Sequence, residues 1–228
     1  MSKSGEAMQL LQGPGARRLL GKVSAAHDVH VARESERAAP CFELAELVGR
    51  LVELSSEGAS CALTLVMGLL LEAQEKGEPV AFLGSTESVF HPEDAAATGL
   101  DLDALVLVRI AASDPKRTAR IAVSAERLLR SGAFGVVVLD LGKGALLPQP
   151  LQTRLLGLAQ KHQAALVCLT EKRTDDPSLG SLVSLRAQAV RTWLGNDLFA
   201  CEARILKDKR RGPVWSQREV CRGPLGLR

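Results

Sequence analysis

The feature that most constrains this chain is the run GVVVLD at residues 135–140. Four consecutive apolar residues leave no polar face, so a strand made from them has to be covered on both sides. Similar short apolar runs recur at residues 50–54 (RLVEL), 80–83, 104–110 (ALVLVRI) and 165–169. Between them lie segments with helical spacing of apolar residues, at residues 62–74, 92–98, 117–130 and 153–162, several closed by glycine. Strand–helix alternation at this spacing predicts a mostly parallel sheet with helices on both faces. The end of the chain differs. Residues 199–206 and 213–221 read as two strands around a basic turn, an antiparallel hairpin at the sheet edge.

Residues 1–40 do not share this pattern. Gly13-Pro14-Gly15 interrupts any early helix, and the cluster RESER at residues 33–37 runs into Pro40. We expect an N-terminal arm over residues 1–40, partly helical, with Met8, Leu10, Leu11, Leu19 and Leu20 as its apolar anchors, followed by an α/β core over residues 41–228. An apolar content of 46% with a net charge of +3 excludes disorder for the bulk of the chain. The longest apolar stretches are too short to span a bilayer, and residues 2–9 do not read as a signal peptide. Five widely spaced cysteines without a CxxC pair suggest free thiols in a reducing cytoplasm. His27 and His30 lack the partners that a metal site needs, and no metal is expected.

Charge is unevenly placed. From Arg204 onward there are eight basic and two acidic side chains, whereas the preceding residues are mildly acidic in balance. A basic C-terminal end suits an anionic partner or a solvated tail. With no tyrosine and few other aromatics, base-stacking platforms are scarce. The helix at residues 117–130 carries Arg117, Arg120, Arg127 and Arg130, which a solvated face explains.

In a parallel sheet, ligands gather at the carboxyl ends of the strands. The first strand-to-helix loop there can be compared with the phosphate-binding pattern G-x-x-x-x-G-K-[ST], whose glycines admit phosphates, whose lysine neutralises them and whose hydroxyl holds Mg²⁺. At those four positions this chain has Ser56, Cys61, Ala62 and Leu63. None keeps the required chemistry, so neither ATP hydrolysis nor a bound cofactor is expected. Asp140 ends the central strand where hydrolases place a metal-steering carboxylate, and a strand-end capping role is the simpler expectation. Cys61 sits near a helix N-terminus with no base in sequence to activate it, so a buried structural thiol is expected.

The segments GRLVEL, AFLGSTES, LLRSGAFGVVVLD and ILKDKRRGP occur in an order that resembles the core of the RecA recombinase over residues 42–224. Within that superfamily the chain looks closest to the ImuA family, accessory proteins of bacterial mutagenic translesion synthesis. The resemblance implies a P-loop NTPase core of RecA type whose phosphate loop is degenerate. It places Glu87 near the position of a catalytic glutamate, Asp94 near that of an adenine-stacking tyrosine, and Glu171 where a nucleotide-sensing glutamine stands. An acid at that last position would repel phosphate. Lys207 and Lys209 match lysines that reach across a filament interface, and Arg210 and Arg211 follow them in a basic turn suited to phosphate backbones. The two DNA-gripping loops would be shortened to residues 141–148 and 172–181. The partners implied are RecA, an ImuB-like homologue of Y-family polymerases and an error-prone replicative-type polymerase, with DNA reached through the basic end. A catalytically inactive adaptor in SOS mutagenesis is therefore expected. Two other readings are a DNA-binding recombination mediator acting through the basic tail and an unorthodox nucleotide-dependent enzyme using Asp140 and Glu87.

Overall fold

A computed structural model describes residues 41–196, 198–212 and 215–222. In chain order the elements are α1 (Leu44–Leu47), β1 (Leu51–Ser56), α2 (Ala62–Glu75), β2 (Val80–Ser85), α3 (Pro92–Ala97), β3 (Leu105–Ile110), α4 (Arg117–Ser131), β4 (Val136–Lys143), α5 (Gln149–His162), β5 (Ala165–Glu171), β6 (Leu185–Gly195), β7 (Leu198–Asp208) and β8 (Ser216–Arg222). The strands form one sheet in the order β3-β2-β4-β5-β1-β6-β7-β8. Strands β1 to β6 pair in parallel, and two more strands extend the sheet at one edge, β7 antiparallel to β6 and β8 antiparallel to β7.

The central strands β4 and β5 are buried along nearly their whole length because apolar cores press on both faces. On one face Val136, Val138, Val167 and Leu169 meet α2, through Val66, Leu69 and Leu70. On the other, Val137, Leu139, Leu166 and Cys168 meet α4 and α5, through Ile121, Leu129 and Leu155. Helix α4 ends at Gly132, whose φ of 74° allows the left-handed turn that stops the helix. Among the described residues no helix is long and apolar enough to cross a membrane.

The α/β architecture with a mostly parallel sheet and antiparallel edge strands is as the sequence predicts. Four details differ. Strand β6 has no counterpart in the sequence reading, because after Leu185 its buried positions are small or polar: Arg186, Ala187, Gln188 and Ala189. Helix α1, only four residues long, was also unpredicted. Helix α5 begins at Gln149 instead of residue 153, since Pro150 is well tolerated in a first turn. The predicted loop at residues 141–148 is corrected as well: β4 continues through Lys143, with an irregular register between Asp140 and Gly142. The expected arm at residues 1–40, with Met8, Leu10, Leu11, Leu19, Leu20, His27 and His30, lies outside the described residues, as do Pro213 and the tail beyond Arg222.

Candidate functional site at the carboxyl edge

Strand β1 delivers Ser56 to the carboxyl edge, and the chain turns through exposed Glu57, Gly58 and Ala59 into α2. Gly58 has a φ of +62°, a conformation glycine adopts without strain. The first amide of α2, from Ala62, donates to the Ser60 hydroxyl at 3.3 Å. Cys61 turns inward and its Sγ–H donates to the Val190 carbonyl on β6 at 3.1 Å. Ala62 is only 8% exposed and belongs to the core beneath α2, and Leu63 packs against the same core. These four positions offer an anion no ammonium, and the position comparable to a magnesium-holding hydroxyl is a hydrocarbon. The residues present do not fit a magnesium nucleotide. Among the described residues no group of three or more His, Cys, Asp or Glu is arranged to hold a metal ion.

Of the acidic candidates, only Glu171 is in strand register with this loop. Asp140 accepts a 2.6 Å hydrogen bond from the Ser88 hydroxyl and so fastens the turn after β2 to β4. Gly84 lies beneath that contact, where an added Cβ would stand 3.2 Å from Ser88 and 3.3 Å from Asp140. Glu87 is exposed at the tip of the same turn, its amide donating to the Ser85 hydroxyl. Glu171 is exposed at the end of β5, in register with Ser56 on one side and Lys143 on the other. Asp94 is exposed in the first turn of α3.

Sequence reasoning passed over Glu53, the residue that organises this edge. It lies in the middle of β1 and is fully buried. One carboxylate oxygen accepts from the Thr170 hydroxyl at 3.0 Å and the Lys172 ammonium at 2.8 Å, and the other accepts from the Leu179 amide at 2.8 Å. Lys172 also donates to the Pro177 carbonyl at 3.1 Å. Arg186 donates to the Arg173 carbonyl at 2.9 Å and to the Asp176 carbonyl. Gln152 reaches the Leu147 and Leu179 carbonyls from α5. The segment between β5 and β6 is thereby strapped to the sheet by buried side chains from three elements. A lone acid inside an otherwise apolar strand was the signal available, since a buried carboxylate requires partners.

The basic turn is built on a second buried pair. Arg50 and Asp208 meet at 2.6 Å with both side chains almost fully buried, and Arg50 also donates to the Ser184 hydroxyl and carbonyl, each at 2.9 Å. Burial pushes the Asp208 pKa up, but the Arg210 amide and the Arg50 guanidinium outweigh it and hold the carboxyl below its ordinary range. Around this anchor, Lys207 is half-buried, and burial together with nearby Lys209 holds its pKa below the usual lysine value. Lys209 donates to the Ser181 carbonyl at 2.5 Å, Arg210 reaches the Val48 carbonyl at 3.5 Å, and Arg211 pairs with Glu46 at 2.5 Å. The four basic candidates thus lie together where β7 ends, partly engaged by the protein's own backbone and α1.

No protein-family model matches the chain. Curated relatives do. The chain is 38% identical to the RecA protein of Clostridium acetobutylicum over 101 residues, which cover 44% of this chain and 27% of the relative. It is 30% identical to RecA of Acholeplasma laidlawii over 131 residues, 52% of this chain and 38% of that one. With RecA of Gluconobacter oxydans it shares 37% identity over 101 residues. The matched regions span between about a quarter and two fifths of these relatives. Together with the sheet architecture, these partial matches support a RecA-like relationship.

Proposed function

We propose that this chain is a RecA-like adaptor of the ImuA kind, working in DNA-damage-induced mutagenesis without ATP hydrolysis. The observation that carries this reading is Ala62, a core methyl where a phosphate-binding loop needs a lysine. Two further features support it. Glu53 and Arg186 hold residues 172–181 down, which removes the freedom that a DNA-gripping loop needs. Lys207, Lys209, Arg210 and Arg211 meet in one place and offer a surface for a neighbouring RecA-like subunit. On this reading the partners are RecA, an ImuB-like polymerase homologue and an error-prone replicative-type polymerase. A partner that recognises the RecA-like surface would be held without control by nucleotide.

The test is equilibrium binding of the full chain to purified RecA and to the ImuB-like protein, with Lys207→Ala plus Lys209→Ala as the variant. The reading expects binding to at least one partner that weakens at least tenfold in a variant whose circular dichroism is unchanged. Equal affinity would remove these lysines from the interface. Binding to neither partner would overturn the adaptor reading. The alternative of a DNA-binding mediator draws on exposed Arg204 and Arg222 at the outer edge, and salt-sensitive DNA affinity lost on deleting residues 210–228 would favour it.

A further inference from the structure

A groove opens between the segment leading into α1, the outer face of α2, and β8. Phe42, Leu65 and Leu69 form its floor, with Leu71 half-buried beside them. Glu43, Glu72, Glu75 and Glu219 stand around that floor, and among the described residues that line the groove there is no lysine or arginine. Glu72 accepts from the Leu44 amide at 2.8 Å and pairs with Lys76, one turn further along α2, at 3.7 Å. Glu219 accepts from the Gln217 side-chain amide at 2.7 Å. An apolar floor ringed by carboxylates suits a segment that carries leucines and cations together.

Gly68 adds a second feature. It lies in the middle of α2, exposed, on the face where Thr64, Gly68, Glu72 and Glu75 line the groove. Glycine is less favourable than alanine in a helix interior. A Cβ at Gly68 would meet nothing within 4 Å, so no contact in the described fold requires its absence. The bare backbone leaves a notch in α2 where another segment can approach closely.

The described chain begins at the same place. The Phe42 amide donates to the Gln217 side-chain carbonyl on β8, and the Leu44 amide holds Glu72, so the chain enters the fold along the wall of the groove. Upstream in the sequence stands ARRLLGK at residues 16–22, where Arg17, Arg18 and Lys22 flank Leu19 and Leu20. Residues 23–40 lie between, and at about 3.3 Å per extended residue against about 1.5 Å per helical residue they outreach the whole of α2.

We propose that residues 16–22 of the same chain occupy this groove, with Leu19 and Leu20 over its apolar floor, the backbone crossing at Gly68, and Arg17, Arg18 and Lys22 against the glutamates. Ion pairs at an exposed rim are individually weak, but the tether makes the contact intramolecular and keeps the local concentration of the segment high. A partner segment of the same chemistry, leucines flanked by arginine or lysine, has to displace the chain's own before it can dock.

The test is zero-length carbodiimide coupling of the full chain, which joins a lysine amine to a carboxylate in contact with it, followed by peptide mass spectrometry of the monomer. The expected result is a link from Lys22 to Glu43, Glu72, Glu75 or Glu219, with a yield independent of protein concentration. A Lys76–Glu72 link serves as the internal standard. Gly68→Trp fills the notch from a position with open space around it, and should cut the Lys22 links at least tenfold relative to that standard while circular dichroism is unchanged. Arg17→Glu plus Arg18→Glu should have the same effect without altering the groove. Absence of any link from Lys22 to these glutamates would overturn the proposal. So would links confined to cross-linked dimers, which would assign the groove to a second copy, and links unchanged in either variant.

Discussion

Replacing Glu53 by glutamine tests the claim that one carboxylate fastens the segment between β5 and β6. The substitution keeps the shape and removes the charge. One acceptor oxygen becomes an NH₂ group, which can accept from neither the Lys172 ammonium nor the Leu179 amide, so one of these two bonds is lost. Lys172 loses its anionic partner in a site where its side chain is 13% exposed. A hydrogen bond to a charged group contributes about 1.5–3 kcal/mol, and stranding one member of a buried pair costs about 3–5 kcal/mol. Because Lys172 retains the Pro177 carbonyl and some water, the lower end applies, about 3 kcal/mol. For a chain of this size that lowers the unfolding midpoint by roughly 6–12 °C. Urea unfolding gives the free energy, and hydrogen exchange gives its location, with faster exchange expected at the Lys172 and Leu179 amides. Removing both charges with Glu53→Leu plus Lys172→Met should destabilise less than Glu53→Leu alone, because no buried charge is stranded. A loss below about 1 kcal/mol, or exchange unchanged in this segment, would refute the strapping argument.

Arg50→Met should cost about 3–5 kcal/mol by leaving Asp208 buried and unpaired, measured by urea unfolding. Since the folded Asp208 pKa is depressed, its stabilisation is complete above the unfolded carboxyl pKa and is lost as pH falls through the folded value. The stability gap between wild type and Asp208→Asn should therefore be constant near neutrality and close in acid; a gap that widened there would reverse the sign of the argument. Ala62→Lys should lower the melting temperature by pushing an ammonium into the core under α2, and nucleotide titration should find no gain in affinity. Ser88→Ala should cost about 1 kcal/mol in chemical denaturation through the lost bond to Asp140.

Much of the architecture was legible because apolar pattern and burial coincide. GVVVLD could only be an inner strand, and the glycine after α4 marked that helix's end. Strand β6 was not legible, since its inward positions hold Arg186 and Gln188, whose burial makes sense only once residues 172–181 fold over them. That Ala62 and Leu63 carry neither an ammonium nor a hydroxyl could be read directly from residue identity. That Ala62 is core, that Asp140 serves Ser88, and that the Cys61 thiol donates to Val190 on β6 depend on contacts between residues more than fifty positions apart. No local pattern encodes such contacts. Lys207, Lys209, Arg210 and Arg211 could be identified as basic, but their engagement with Ser181, Val48 and Glu46 could not.

The central claim, a RecA-like chain that does not respond to nucleotide, is tested most directly by equilibrium binding of a fluorescent ATP analogue to the full chain with and without Mg²⁺. The account predicts no saturable binding up to millimolar concentration. Saturable, Mg²⁺-dependent binding would contradict it and return Asp140 and Glu87 to consideration as parts of a working nucleotide site.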